Sequence, residues 1–126
     1  MSAGHYDFEI EQGATFTLNL SYKDSNGAVI DLTSPTSYTG RMKIRDSPDG
    51  ELIASSESTD SPLNIITVTI GASGNNIVAS MTATNTKTLD FDTGVYDLEI
   101  YNGTGSTQVV ERIIEGRVTL DKSVSS

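Results

Sequence analysis

The sequence has no cysteine, no tryptophan and a single histidine, and these absences exclude several kinds of chemistry. Without cysteine the chain can form neither a disulfide nor a thiolate metal site. His5 is the only imidazole, and it lies near the N-terminus, where we expect few contacts to hold a catalytic base in place. We therefore expect a protein that is not an enzyme.

Positive charge is also scarce: the chain has eight Lys and Arg and 17 Asp and Glu, which gives a net charge of −9. A nucleic-acid-binding protein needs a basic patch to neutralise phosphates, and an anionic membrane surface attracts the same kind of patch. The N-terminus lacks the pattern of a secretory signal, and no apolar run approaches the roughly 20 residues that span a bilayer. We expect no nucleic acid and no membrane among the partners.

The many carboxylates have a simple structural explanation. Asp97 and Glu99 are spaced two residues apart, as are the acids at positions 7, 9 and 11, and this spacing is typical of the solvated face of a strand. Three acidic turns, at 24–27, 46–50 and 90–92, offer oxygens to calcium, but none has the spacing of a complete calcium loop. We predict no cofactor and no metal site, with calcium in one of these turns left open.

Short segments that alternate apolar and polar residues dominate the chain. The clearest early example is 15–23, where Phe16, Leu18, Leu20 and Tyr22 alternate with polar residues. Turn residues recur every 8–12 positions, and only 83–89 has the pattern of a short helical turn. This pattern predicts an all-β protein: an antiparallel β-sandwich of seven to nine strands. Residues 1–126 are expected to form one domain with short flexible N- and C-terminal arms.

Two of the predicted segments make specific claims about local structure. Asn26-Gly27 is the strongest hairpin signal in the chain, and 28–32 is predicted to continue beyond it as a strand or extended segment. A long closing strand is predicted at 107–120. Its alternation places Val110 on one face together with Ile114, Val118 and Leu120, and it places Val109 and Ile113 on the other face.

The segment 90–101 is the most informative part of the sequence. Asp92 and Gly94 provide a turn, in which glycine tolerates a positive φ, and strict alternation from Tyr96 to Tyr101 then predicts a strand. The motif Asp92-x-Gly94-x-Tyr96-x-Leu98 resembles the start of strand F in immunoglobulin-like sandwiches. The resemblance implies a tyrosine corner, in which the Tyr96 hydroxyl bonds back to main chain, with Leu98 in the place of a cysteine.

A second resemblance extends over most of the chain. The motifs that carry it are Glu11-Gln12-Gly13-x-x-Phe16-Thr17-Leu18, Asp24-Ser25-Asn26-Gly27-x-x-Ile30-Asp31-Leu32-Thr33, Gly40-Arg41-Met42-x-Ile44-Arg45, Thr93-Gly94-Val95-Tyr96-Asp97-Leu98-Glu99 and Glu115-Gly116-x-Val118-Thr119-Leu120. Their order is similar to small tail and baseplate proteins of tailed bacteriophages. In particular it resembles the N-terminal β-sandwich domain of phage upper-baseplate proteins. The resemblance implies a structural virion protein, located in the tail or baseplate, that contacts other phage structural proteins in several symmetric copies.

Candidate partner contacts follow from charge and hydrophobicity. Arg41, Lys43 and Arg45 form a cationic row that either pairs with Asp97 and Glu99 inside the fold or meets a neighbouring subunit. The other candidates are apolar or aromatic, and they are Tyr6, Val109 and Ile113. Two alternatives stay open: a capsid-surface decoration protein, and an immunoglobulin-like module whose loops at 46–50 and 102–106 bind a host surface glycan or receptor.

Overall fold

The computed structural model describes residues 4–34, 37–103 and 107–122. The described residues form nine strands and one short helix, α1 (Ala83–Lys87), together with a 3-10 turn at Ser58–Asp60. The strands are β1 (Gly4–His5), β2 (Phe8–Glu11), β3 (Phe16–Leu20), β4 (Thr39–Arg45), β5 (Leu52–Ser55), β6 (Thr67–Ile70), β7 (Ile77–Met81), β8 (Thr93–Asn102) and β9 (Val109–Asp121). The predictions of an all-β fold and of a short helical turn after residue 82 are confirmed.

The strands lie in two sheets. The larger sheet has the order β1-β9-β8-β4-β5, with β2 also paired to β9, and the smaller sheet has the order β3-β7-β6. Most pairs are antiparallel, but β1 and β2 both run parallel to β9. The predicted antiparallel β-sandwich is formed, with parallel pairing at one edge, where the N-terminal segment runs alongside the final strand.

One hydrophobic core lies between the two sheets. The alternation along β8 buries Tyr96, Leu98 and Ile100, and that along β4 buries Met42 and Ile44. The smaller sheet contributes the inward side chains of β3 and β7, which are Phe16, Leu18, Ile77, Ala79 and Met81. Side chains between these positions point to the opposite face of the larger sheet, which we call the outer face.

A β-bulge in β9 changes which side chains reach the core. The register passes from Leu98 opposite Ile114 to Glu99 opposite Arg112, so Ile113 is an extra residue in β9. Beyond the bulge, Val110 lies opposite Tyr101, and its side chain is 43% exposed. The prediction that Val110 shares the buried face of Ile114 is wrong, because a single inserted residue reverses the alternation.

The Asn26-Gly27 turn forms as predicted. Gly27 has a positive φ of 85°, and its N–H donates to the Asp24 carbonyl at 3.0 Å. However, 28–32 is not a strand, since only an isolated bridge between Lys23 and Val29 forms there. The buried side chain of Asn76 anchors this hairpin instead. Its Nδ2 donates to the carbonyls of Ile30 at 2.7 Å and Tyr22 at 3.2 Å, and its Oδ1 accepts from the Tyr22 N–H at 2.7 Å.

The predicted terminal arms are partly ordered into the fold. Gly4 and His5 form β1, and the Tyr6 N–H donates to the Glu115 carbonyl at 3.0 Å, so this segment is part of the larger sheet. At the other end β9 extends to Asp121. The remaining predicted arm residues, 1–3 and 123–126, lie outside the described residues.

Candidate binding cleft on the outer face

Tyr96 links strand β8 to the N-terminal segment. Its side chain is buried, and its hydroxyl donates to the main-chain carbonyl of Tyr6 at 2.5 Å. The Phe8 ring packs edge-on against the Tyr96 ring with centroids 4.6 Å apart. Burial raises the pKa of Tyr96 well above that of a free tyrosine, so the hydroxyl stays protonated and able to donate. The bond to main chain is the kind that the motif implies, but the acceptor lies at the N-terminus and not near the corner.

The other residues of the corner motif have different surroundings. Leu98 is fully buried in the core, whereas the Asp92 side chain is exposed and pairs with Lys122 at 3.2 Å. Gly94 lies inside β8 and does not adopt a positive φ, so the prediction of a turn glycine is wrong. A Cβ at Gly94 would lie 2.6 Å from the Arg45 carbonyl oxygen. Glycine is needed there because the main chains of β8 and β4 approach so closely.

Arg41 pairs inside the fold. Arg41 lies opposite Glu99 on the outer face, and its Nε donates to a Glu99 carboxylate oxygen at 2.5 Å. The same guanidinium reaches Glu57 at 3.3 Å and lies 4.6 Å from the centroid of the Tyr101 ring. These contacts satisfy Arg41 within the chain, which is the first of the two alternatives for the cationic row.

Lys43 and Arg112 also have carboxylate partners. Lys43 pairs with Asp60 at 3.4 Å, and the hydroxyl of buried Ser55, which donates to Asp60 at 2.6 Å, lowers the pKa of the Asp60 carboxyl. Arg112 lies 3.8 Å from Asp97 and 3.2 Å from Glu115. Burial nevertheless raises the pKa of Asp97, and repulsion from neighbouring Glu99 adds to this increase.

A cleft of about 540 Å³ opens on the outer face of the larger sheet, above β8. Its floor includes Val95, one wall is the turn between β4 and β5, and the opposite wall includes β1. The lining residues are His5, Lys43, Arg45, Pro48, Asp49, Val95, Tyr96, Asp97, Arg112, Glu115, Gly116 and Arg117. The lining includes four of the eight Lys and Arg of the chain, but only three of the 17 Asp and Glu. This acidic protein therefore concentrates its positive charge at the cleft.

Arg45 and Arg117 differ from the other arginines. They flank Val95 on neighbouring strands, because Val95 pairs with Arg45 of β4 on one side and Arg117 of β9 on the other. Among the described residues, no carboxylate lies within 4.0 Å of either guanidinium. The Arg45 guanidinium donates to the Gly50 carbonyl at 3.3 Å, which leaves most of its donors available.

The predicted apolar contacts lie elsewhere. Val109 is 52% exposed at the start of β9, next to the exposed Val110, and together they form what we call the valine pair. Tyr6 is 48% exposed, although its main chain is bound in the fold. Ile113 is the bulge residue, and it is half-buried and packs against the core. Of the predicted alternative binding loops, the turn at 46–50 contributes Pro48 and Asp49 to the cleft, whereas residues 104–106 of the other loop lie outside the described residues.

Sequence reasoning missed the part of the cleft that β9 provides. Arg112 and Arg117 lie on either side of the bulge, so no simple alternation places them on the same face as the cationic row of β4. His5 was expected on a free arm, yet it lines the cleft and pairs with Asp7 at 3.0 Å. The available signal was compositional, because six of the eight Lys and Arg fall at positions 41, 43, 45, 112, 117 and 122, and four of these six line the cleft.

The described part of the chain holds neither a metal-binding cluster nor a membrane-spanning helix. No group of three or more His, Cys, Asp or Glu side chains is placed to hold a metal ion there. No helix among residues 4–34, 37–103 and 107–122 has the length and apolar character needed to cross a membrane.

Comparison with known proteins identifies the class of fold. No model of a known protein family matches the chain, and no curated protein matches it. Among solved structures, one similar chain comes from "Structure-based site-directed photo-crosslinking analyses of multimeric cell-adhesive interactions of VGSC beta subunits". It has 13% sequence identity and a TM-score of 0.50, with 98% of each chain covered. Together with the two sheets, this likeness shows that the chain folds as an immunoglobulin-like β-sandwich.

Proposed function

We propose that this chain is a structural protein of a tailed bacteriophage virion, in the tail or baseplate, where it makes assembly contacts between larger phage proteins. It works by binding and not by catalysis, is made in the host cytoplasm, and joins the particle in several symmetric copies. The order of the sequence motifs, which resembles that of small tail and baseplate proteins, supports the assignment to a phage. An immunoglobulin-like sandwich suits the role because its rigid sheets can present strand ends and faces to neighbours.

The valine pair is the observation that carries the assembly role. Val109 and Val110 are 52% and 43% exposed, and they are adjacent in the chain at the end of the β8–β9 hairpin. Adjacent side chains in a strand point to opposite faces, so this hairpin end carries an uncovered apolar side chain on each face, and such uncovered apolar surface marks a candidate protein contact. Tyr6, which is 48% exposed, adds a second, separate candidate contact on the N-terminal segment, which pairs with β9 from Ile114 onward.

The experiment is capture of virion proteins by the purified chain, combined with antibody labelling of intact particles. We expect label on the tail or baseplate and capture of another structural protein of the same phage. Replacing both valines with serine should weaken capture by about tenfold, because apolar anchors dominate the energy of such contacts. Leu63→Ser is the matched control, since Leu63 is also exposed and apolar but lies outside the valine pair.

A monomeric protein that captures no structural protein and is absent from purified particles would contradict the proposal. Label on the capsid would support the decoration-protein alternative. If Leu63→Ser weakens capture as much as the double valine variant does, the valine pair is not a specific contact, because any exposed apolar side chain would then have the same effect.

A second candidate is an immunoglobulin-like module that binds a host surface glycan or receptor. The cleft favours it, since about 540 Å³ falls within the size range of ligand pockets. The similar solved structure concerns multimeric cell-adhesive interactions of VGSC beta subunits, and at 13% identity it supports the fold alone. A glycan array tests this candidate: binding that disappears when residues 46–50 are exchanged would favour it over an assembly role.

A further inference from the structure

We propose that the cleft on the outer face binds an extended acidic segment of a neighbouring protein. Two carboxylates of that segment, two residues apart, would be held by Arg45 and Arg117 above Val95. The inference rests on the proposed assembly function, because the acidic segment would belong to a protein with which this chain packs. It adds the surface, the two anchoring residues and the chemistry of the partner.

Charge is distributed unevenly over the protein. The cleft is lined by four Lys and Arg and three Asp and Glu, which leaves four basic and fourteen acidic residues for the rest of the chain. Two of the three carboxylates of the cleft, Asp97 and Glu115, are within 4 Å of Arg112. An incoming carboxylate is therefore repelled by the acidic surface around the cleft and attracted to the basic residues that line it.

Arg45 and Arg117 have guanidinium donors available for a ligand. Arg41 pairs with Glu57 and Glu99, whereas neither Arg45 nor Arg117 has a carboxylate within 4.0 Å among the described residues. The planar guanidinium matches a carboxylate through two parallel hydrogen bonds, and this geometry makes arginine the preferred residue for such recognition. The fold thus leaves two of these groups available on either side of a single valine.

The spacing of the two arginines matches that of carboxylates on an extended segment. Arg45, Val95 and Arg117 lie side by side on β4, β8 and β9, so the two arginine Cα atoms are about 10 Å apart, two strand spacings. Their long side chains can converge over Val95. In an extended segment, side chains at positions i and i+2 point to the same face and are about 7 Å apart. Two such carboxylates can each meet one guanidinium, while the main chain between them covers Val95.

The test is a titration of the purified, isotope-labelled full chain with short capped peptides, followed by NMR of the arginine side chains. The probe is Thr-Glu-Thr-Glu-Thr, acetylated and amidated, which presents two carboxylates on one face. We expect the Nε–H signals of Arg45 and Arg117 to shift together, and the affinity to fall as salt is added. Arg45→Gln and Arg117→Gln should each weaken binding by about tenfold, as expected for the loss of a charge-assisted hydrogen-bonded pair.

Three controls make the result decisive. Lys87→Gln removes the same charge from the exposed end of α1, away from the cleft, and should leave the affinity within about twofold. Arg117 is exposed, so Arg117→Gln remains informative if Arg45→Gln, which also loses the bond to Gly50, disturbs the fold. Peptides with glutamine in place of glutamate, or with adjacent glutamates that point to opposite faces, should bind at least about tenfold more weakly.

The proposal is overturned if the acidic peptide shifts neither arginine. It is also overturned if inorganic phosphate binds as tightly as the peptide, because the cleft would then be a simple anion site. These measurements use only the purified chain and are independent of the particle experiments. Peptide binding without any label on virions would overturn the virion role alone, and label on virions without peptide binding would overturn the cleft alone.

Discussion

Tyr96 is the side chain whose replacement tests most directly what holds the N-terminal segment in the fold. Its buried hydroxyl donates to the Tyr6 carbonyl, so Tyr96→Phe leaves a buried acceptor without this partner. We expect the free energy of unfolding to fall by about 1 kcal/mol or more, measured by urea denaturation. Tyr6→Phe removes a hydroxyl from a half-exposed ring and should change stability by less than about 0.5 kcal/mol. Equal stability of Tyr96→Phe and the wild type would show that the bond does not hold the N-terminal segment.

Asp97 should make stability depend on pH in an unusual direction. Burial raises the pKa of Asp97 above its ordinary value of 3.8, so the folded protein keeps this proton at pH values where the unfolded chain has lost it. The unfolded chain then binds fewer protons, and stability falls as the pH rises from about 4 through the raised pKa. Asp97→Asn removes this loss. Relative to the variant, the wild type should lose stability over this interval in urea titrations at several pH values.

Asp31 is the control, because its effect on stability should change with pH in the opposite direction. The hydroxyl and N–H of Thr33 hydrogen-bond to the Asp31 carboxylate and lower its pKa below the ordinary value of 3.8. This group contributes stability above pH 3.8, and the contribution is lost as the pH falls through the lowered pKa. Compared with Asp31→Asn, the wild type should therefore lose stability on acidification. Parallel profiles for the two aspartate variants would contradict both assignments.

Among the elements, the N-terminal segment depends on a glycine in β9. Gly116 lies opposite Tyr96, and a Cβ there would be 2.2 Å from the Tyr6 carbonyl oxygen. Because the atom in the way is main chain, Gly116→Ala should displace the segment and cost about 1–3 kcal/mol in unfolding free energy. Amide exchange at Tyr6 should accelerate as well. Gly4→Ala, whose nearest such contact is 3.6 Å, should cause little change in either measurement.

The hairpin at 22–30 depends in the same way on one side chain. Asn76 makes three hydrogen bonds to main-chain atoms of Tyr22 and Ile30, and it is fully buried. Asn76→Ala should lower the unfolding free energy by about 3 kcal/mol, because buried polar groups lose their partners. Asn75→Ala is the matched control, since Asn75 is exposed and should cost less than about 0.5 kcal/mol. Similar thermal denaturation curves for the two variants would show that Asn76 does not anchor the hairpin.

At the scale of the whole molecule, charge repulsion opposes folding. With a net charge of −9, the compact state brings like charges together, and salt screens that repulsion. We expect the melting temperature at pH 7 to rise as sodium chloride is increased from a few millimolar to about 0.2 M. Near the sequence pI of about 4.3 the net charge is small, so the same titration should have little effect. A melting temperature that falls with salt at pH 7 would mean that the outer-face ion pairs outweigh the repulsion.

Prediction from sequence worked best where a rule is local. Alternation placed Leu98 and Tyr96 in the core, and the Asn26-Gly27 turn formed where its residues require it. It failed where a distant segment decides the outcome. Gly94 is needed for close approach to β4 and not for a turn, and the bulge at Ile113 turns Val110 to the surface. The sequence of β9 alone does not indicate that Ile113 is the residue without a partner on β8.

The sequence by itself determined the fold class, the exclusion of cysteine chemistry and the acidic character, because composition and a period of two depend only on the order of residues. The tertiary structure alone decided that the N-terminal segment runs parallel to β9 and that Tyr96 bonds to it. It also decided that Arg45 and Arg117 flank Val95 in one cleft. These two arginines are 72 positions apart in the sequence. Strand pairing creates such neighbours, and pairing is a property of the whole sheet.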